Sequence, residues 1–471
     1  MARDFAALNR EYECAASLDI PPDRMRMPGR LRFDLADGIC FRFVEGTKRL
    51  PELFERIGLS PLLVGTLQNG RDFTLLDCHP GPVSGFSVTD RSIQARRLIV
   101  GARVSDTKSA SVREVQVAMT RLADWLGTPS VTGGAFCPSP HGQQAEIKFA
   151  TTPNVEVTAA TNEPSLTTWQ EMNLHLQDHQ YSASSMYWWR IRTPDPITLD
   201  QAWTRLFQLQ LFFTLLYGHQ AYYDHVRIIC EDDNAKQQPL DVLFRAARPS
   251  AASYRAPRDV LLPHAVIGNI LPLLWTNWTT RYEQYSMSAE VFSSTEMFEG
   301  QLLEFQMLAI MQALETLHRH RLPGLYTSQD EYKCVERMLV DAMPSEISQP
   351  LRESLKSRLK YGNEYSLRRR LTELATMLSP ETQALLHSNL QQFLSRAIET
   401  RNYLTHYPPD LHSASMKGAE LFWSIQLLRW FYAAVLLKDL GVDDGTIRAA
   451  LERSEQRRDA SDQVAVREVL K

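Results

Sequence analysis

"RLRFDLADGICFRFVEG", residues 30–46, decides how the first half of this chain is read. In "RLRFDL" and "ICFRFV" apolar residues recur at every second position, the period that returns side chains to one face of a strand. Between them "ADG" is turn chemistry, because Asp bonds nearby backbone amides and Gly accepts a positive φ. The stretch therefore predicts two antiparallel strands and a tight turn. The same texture continues outward in "LLVGTLQNGRDFTLLD" (62–77), "RRLIVGARV" (96–104), "AEIKFATTPNVEVTAA" (145–160) and "DHVRIICED" (224–232). An antiparallel, sandwich-like β domain follows, with accessory helices expected over 111–127 ("SVREVQVAMTRLADWLG") and 199–218. The second helix is bounded by Thr198-Leu199-Asp200 at its start and Gly218 at its end.

Beyond residue 264 the periodicity changes to that of helices. Leu303, Met307, Ile310, Leu314 and Leu317 step by four and three, one face of a helix over 297–320. Further helices are expected over 329–343, 346–361, 363–378, 381–405 and 417–439, the last apolar nearly all round, with Gly441 as its C-cap. Residues 233–262 lose periodicity and gain Pro, Ala and Ser, as a connector does. The expected organisation is α+β, with a β-rich accessory or regulatory domain over 1–232, a connector over 233–262 and an all-α bundle over 263–471. A chain of 471 residues is too long for one core, which agrees with this division.

Composition narrows the function classes. With 44% hydrophobic and 23% charged residues and a net charge of −4, the chain is globular and carries no global basic field for nucleic acid. Six dispersed cysteines without a C-x₂-C pair support neither a disulfide framework nor a zinc ribbon. His175 and His179 have i,i+4 spacing but no intervening metalloprotease glutamate, and His318 and His320 face different ways on a helix, so no metal and no cofactor is expected. The N-terminal residues lack the apolar core of a signal peptide, and "LQLFFTLLYG" and "LFWSIQLLRWFYAAVLL" are too short to span a bilayer. The expectation is a cytoplasmic protein without a membrane partner. The tryptophans at 188–189 and in "LPLLWTNWTTRY" read as core.

Chemistry concentrates in "IETRNYLTHYPPD", residues 398–410. As a bare pattern Arg-x₄-His carries little, since 41 Arg and 12 His in 471 residues give about one such pair by chance. Its context is informative. Arg401 and His406 are five apart, about 140° around a helix, and Pro408 ends that helix near His406. Arg supplies fixed positive charge for a phosphate and His an acid or base near neutral pH, the minimum for RNA cleavage by a ribose 2′-hydroxyl. The bland reading makes His406 a helix-end cation and pairs Arg401 with Glu399 or Glu364. A basic band at 351–371, seven Lys or Arg against two Glu, offers Arg368, Arg369 and Arg370 to an RNA backbone or is simply a solvated face.

With its flanking helices, "RNYLTHY" resembles the R-x₄₋₆-H motif of HEPN-domain ribonucleases. "FEGQLLEFQMLAIMQALETLHRH" upstream is similar to the first helix of the ApeA-like branch, and the β-rich half is similar to that branch's accessory domain. The resemblance implies a metal-independent endoribonuclease of abortive-infection, anti-phage defence, acting on tRNA or other RNA loops and leaving 2′,3′-cyclic phosphate and 5′-hydroxyl ends. It implies catalytic roles for Arg401 and His406, assistance from Asn402, and a homodimer or higher even-numbered oligomer answering a phage-derived trigger. Trp423, Leu427, Trp430 and Phe431 are the expected dimer surface. The alternatives are a non-catalytic RNA- or nucleotide-binding HEPN module, and a sugar- or peptide-binding β domain dimerised by the bundle.

Overall fold

The computed structural model describes residues 7–8, 10–21, 25–44, 62–81, 92–108, 110–127, 131–139, 142–149, 154–158, 163–177, 180–231, 237–246, 260–297 and 301–469. The chain divides into two compact units, Met1–Thr279 and Thr280–Lys471. His179, one of the two histidines weighed above, lies outside the described residues.

In the first unit, β1 (Tyr12–Ile20) pairs antiparallel with β2 (Met25–Asp34), and β2 with β3 (Gly38–Phe43). The turn forms where its sequence suggests, with Asp34 rather than Asp37 supplying the carboxylate. The Asp34 carboxylate accepts the amides of Ala36 and Asp37 at 2.8 and 3.0 Å, and Gly38 takes φ 84°. Leu31, Phe33, Ile39, Phe41 and Phe43 turn inward and are buried, while Arg30 and Arg42 are exposed.

β4 (Leu62–Leu67) pairs with β1 and with β5 (Asp72–Pro80), and β5 pairs with β6 (Ser92–Val100). β6 returns to β3, so six strands close into a ring. Leu31, Phe41 and Ile93 stand opposite one another across three of them, fully buried. The Phe73 ring lies over Gly65 on the neighbouring strand, where an added Cβ would meet it at 2.4 Å.

Beyond the ring come β7 (Val112–Met119), the hairpin of β8 (Val131–Ser139) and β9 (Gly142–Phe149), and then β10 (Glu156–Val157). They are followed by β11 (Ser165–Gln177), β12 (Gln180–Ile197), β13 (Tyr223–Glu231) and β14 (Gln237–Phe244). The order β10-β11-β12-β7-β13-β14 joins the ring where β14 pairs with Arg97–Val100 of β6. The α+β class holds. Where a sandwich-like arrangement was expected, twelve described strands form one sheet that closes on itself at one end.

Two segments differ from their sequence reading. Residues 111–127 were expected as one helix but form β7 and only a short helix, α1 (Leu122–Leu126). β7 lies between β12 and β13, and Val112, Val115, Val117, Ala118 and Met119 are all buried, so its two-residue alternation is blurred. The expected connector at 233–262 contains β14, whose Leu240, Val242 and Leu243 are buried in the sheet.

α2 (Leu199–Tyr217) covers one face of this sheet, opened by a reciprocal cap between Thr198 and Gln201 and closed by Gly218 at φ 75°. Phe213 of α2 packs edge-on to Trp125, with ring centroids 5.3 Å apart, beside Trp189. The short α3 (His264–Ile267) and α4 (Leu271–Thr280) were grouped with the bundle in the sequence reading. The two tryptophans of α4 instead anchor in the first unit, where Trp275 Nε1 donates to the Pro164 carbonyl at 2.7 Å and Trp278 Nε1 to that of Gln208 at 3.0 Å.

The second unit is helical among its described residues. α5 (Tyr282–Met297) and α6 (Leu303–Arg321) pack together. α7 (Gln329–Asp341), α8 (Gln349–Leu359), α9 (Leu367–Thr376) and α10 (Pro380–Leu386) follow, then α11 (Leu390–His406), α12 (Gly418–Leu440), α13 (Asp444–Arg453) and α14 (Glu455–Val469). The helix expected over 381–405 is broken in two, with His387 extended and Asn389 capping α11 through the Gln392 amide.

α12 runs through the core against α6 and α14, which explains its apolarity on every side. Tyr432 stacks on Phe292 at 4.4 Å and shares a 2.8 Å hydrogen bond with Ser288. This corrects the expected dimer surface, because Leu427, Trp430 and Phe431 are already buried within a single chain. Among the described residues no helix is long and apolar enough to cross a membrane.

Candidate functional site

α11 carries the Arg-x₄-His motif on its last two turns and ends on it. His406 is the final helical residue, and Tyr407 turns left-handed at φ 49°, ψ 40° before Pro408. The stop is thus sharper than the extended conformation usual before proline, and holding a non-glycine residue there costs about 1–2 kcal/mol. A second device fixes the loop beyond it. Buried Thr400 donates to the Arg396 carbonyl at 2.9 Å and accepts the Met416 amide at 3.0 Å, while Arg396 pairs with Glu420 at the start of α12.

Arg401 is half-buried and donates through Nη1 to Asn402 Oδ1 at 3.3 Å. His406 is exposed and makes no hydrogen bond or ion pair among the described residues. The bland pairing of Arg401 with Glu399 or Glu364 is not made. Glu399 stands 3.9 Å from Arg368, and Glu364 binds Arg319 and Arg370. Both motif side chains therefore lack a carboxylate partner among the described residues.

Helical spacing sorts their neighbours. Ser395, Glu399, Asn402 and His406 step by four, three and four and share one face of α11, with Arg401 about 140° from His406. Arg368 of α9 lies against that shared face, donating to Ser395 Oγ beside Glu399. The three arginines expected to track RNA thus diverge. Arg368 is exposed on the His406 side. Arg369 lies over the Tyr365 ring at 3.9 Å and the Tyr326 ring at 4.9 Å.

Arg370 is 2% exposed, so its candidacy as an RNA contact is corrected. It donates to the Tyr365 carbonyl and to His318 Nδ1, each at 3.0 Å. Because a guanidinium only donates, His318 Nδ1 must accept, and its Nε2–H donates to Glu373 at 2.8 Å. Burial holds the His318 pKa below its ordinary value of 6.5, against the opposing effect of the hydrogen bond it donates to Glu373.

A cluster beside the motif was not read from the sequence. Tyr403 meets Tyr407 and His412 edge-on at 5.4 and 5.5 Å, and Lys417 Nζ reaches the His412 ring nitrogens at 3.0 and 3.3 Å. It depends on the loop 407–417 folding back, which no local pattern signals. Among the described residues no three His, Cys, Asp or Glu side chains group as a cation site.

A β-sheet unit is thus joined to a helical unit that presents an arginine and a histidine near one helix end. Family models match both parts, ApeA N-terminal domain 1 over residues 19–278 and Apea-like HEPN over residues 308–446. The chain belongs to the ApeA-like HEPN family, one of HEPN-type anti-phage nucleases. No curated protein and no solved structure matched it.

Proposed function

We propose that the chain is an endoribonuclease of anti-phage defence in the cytoplasm, with Arg401, Asn402 and His406 as its catalytic groups. The observation that carries this reading is His406, exposed and unpartnered among the described residues, at the end of the helix that bears a carboxylate-free Arg401. In the proposed reaction the ribose 2′-oxygen attacks the adjacent phosphorus and the bond to the 5′-oxygen breaks. The 2′-hydroxyl proton goes to a base, and the departing 5′-oxygen takes a proton. His406 serves one of these transfers, while Arg401 neutralises charge on the phosphoryl oxygens and Asn402 holds its guanidinium. The products are a 2′,3′-cyclic phosphate and a 5′-hydroxyl. Arg368 offers an exposed cation to a neighbouring phosphate on the His406 face.

The substrate class is tRNA or other RNA loops. Purified protein incubated with total tRNA in EDTA is expected to yield cyclic-phosphate ends, and Arg401→Ala about 10²–10³-fold fewer. Ends bearing a 5′-phosphate, or a divalent-ion requirement on an unstructured RNA, would refute the chemistry.

The angle between Arg401 and His406 further supports a site completed by a second copy, each chain presenting its motif to the other. Arg401→Ala and His406→Ala homodimers should both be strongly impaired. Co-expressed, they are expected to recover part of the activity if one Arg and one His suffice. An active monomer by light scattering would exclude the shared site. The first unit is proposed as the regulatory part, answering a phage-derived trigger.

A further inference from the structure

The first unit contains a cleft that the ribonuclease reading does not use. One edge of β6 changes partner along its length, pairing with β3 at Ser92–Ala95 and with β14 at Arg97–Val100. Where β3 and β14 part, a cleft of about 540 Å³ opens, within the size range of small-ligand sites. Its wall includes Arg96 and Arg97 of β6, Trp203 of α2 and Arg245 just beyond β14, with Asp37 and Asp77 also lining it.

Three features of this wall ask for a ligand. Arg96 and Arg245 are exposed and have no carboxylate partner among the described residues, whereas Arg97 is held on Asp77 by two hydrogen bonds of 2.9 and 2.6 Å. Three guanidiniums thus face two carboxylates, one of which is already engaged. The Arg97 guanidinium lies 4.8 Å over the Trp203 ring, and Phe244 meets that ring edge-on at 5.7 Å, forming an aromatic and cationic wall. Asp77 also sits at φ 55°, an uncommon backbone state within a strand.

We propose that this cleft binds a nucleoside phosphate. Its phosphate would take the two uncommitted guanidiniums, which suit phosphate oxygens in a bidentate fork. Its base would lie at the Trp203–Phe244 wall, where an aromatic heterocycle finds an apolar ring surface. The cleft lies in the unit proposed as regulatory, so the ligand is a candidate effector rather than a substrate.

The test titrates the full chain with AMP, GMP, CMP and UMP up to about 1 mM, by calorimetry and tryptophan fluorescence, with adenosine and inorganic phosphate as separate arms. At least one nucleotide should bind saturably, and more tightly than either arm. The double variant Arg96→Ala/Arg245→Ala changes two exposed side chains and should weaken binding at least about tenfold with an unchanged melting temperature. Arg401→Ala should bind like the native chain, separating this cleft from the motif. Absence of saturable binding by all four nucleotides would overturn the proposal. So would undiminished binding in the double variant, or inorganic phosphate binding as tightly as every nucleotide.

Discussion

Arg370 and His318 meet in the interior of the helical unit, whereas Arg401 and His406 stand at the surface end of a helix packed beside α9. The residue types are the same. In the first pair the guanidinium bonds the imidazole, and between them they also hold the Tyr365 carbonyl and the carboxylates of Glu364 and Glu373. In the second pair the guanidinium holds only an amide and the imidazole nothing among the described residues. The pair proposed to meet a substrate keeps its hydrogen-bonding capacity uncommitted, while the structural pair spends it internally. Surroundings, more than residue identity, separate the two roles.

The sharpest way to break this comparison is to truncate both arginines. Arg401→Ala is expected to lower cleavage by about 10²–10³-fold, as loss of one stabilising donor does. Its stability should stay within about 0.5 kcal/mol of the native chain, as for a surface change. Arg370→Ala should instead lose about 3 kcal/mol, because it leaves His318 Nδ1 and the Tyr365 carbonyl unsatisfied in the interior. Urea unfolding and cleavage rates on both variants check the two arms. Equal destabilisation would erase the distinction.

A pH titration of stability sharpens it. His318 is neutral when folded, its pKa held down by burial, and regains its ordinary 6.5 when unfolded. Its contribution is therefore complete above about 6.5 and is lost as pH falls toward the lower folded value, with a slope of up to about 1.4 kcal/mol per pH unit. His318→Gln should flatten that slope. Unfolding curves between pH 7.5 and 5 decide the matter.

The smallest effect is expected at Tyr407. Tyr407→Gly removes the left-handed penalty but adds unfolded-chain freedom and loses the ring contact with Tyr403, for a net gain of about 0.5 kcal/mol. A thermal melt measures it. Destabilisation instead would mean that the Tyr403–Tyr407 contact outweighs the backbone strain.

The hairpin at 30–46 was legible because its alternation and turn chemistry are both local, and the cap residues of α2 were legible likewise. β7 was not, since burial on both faces removed the alternation that marks a strand. β14 hid behind Pro239 and a flank without periodicity. The motif itself could be read as a pattern. The fates of Arg368, Arg369 and Arg370 could not, because successive helical residues turn about 100° apart and only the packed neighbours decide which direction is inward. Tyr403, His412 and Lys417 depend on a loop closure that sequence spacing does not encode.

The Thr400–Met416 bond gives that closure a consequence for how such a chain diversifies. With Arg396 tied to Glu420 as well, residues 407–415 form a segment whose two ends are pinned independently of what lies between. Lengthening a pinned segment is cheap, about 0.6 kcal/mol for each doubling. Insertions there could reshape what approaches the motif while leaving Arg401 and His406 where the helix puts them. The fold separates a part that must stay fixed from a part free to vary, and places the two side by side in the chain.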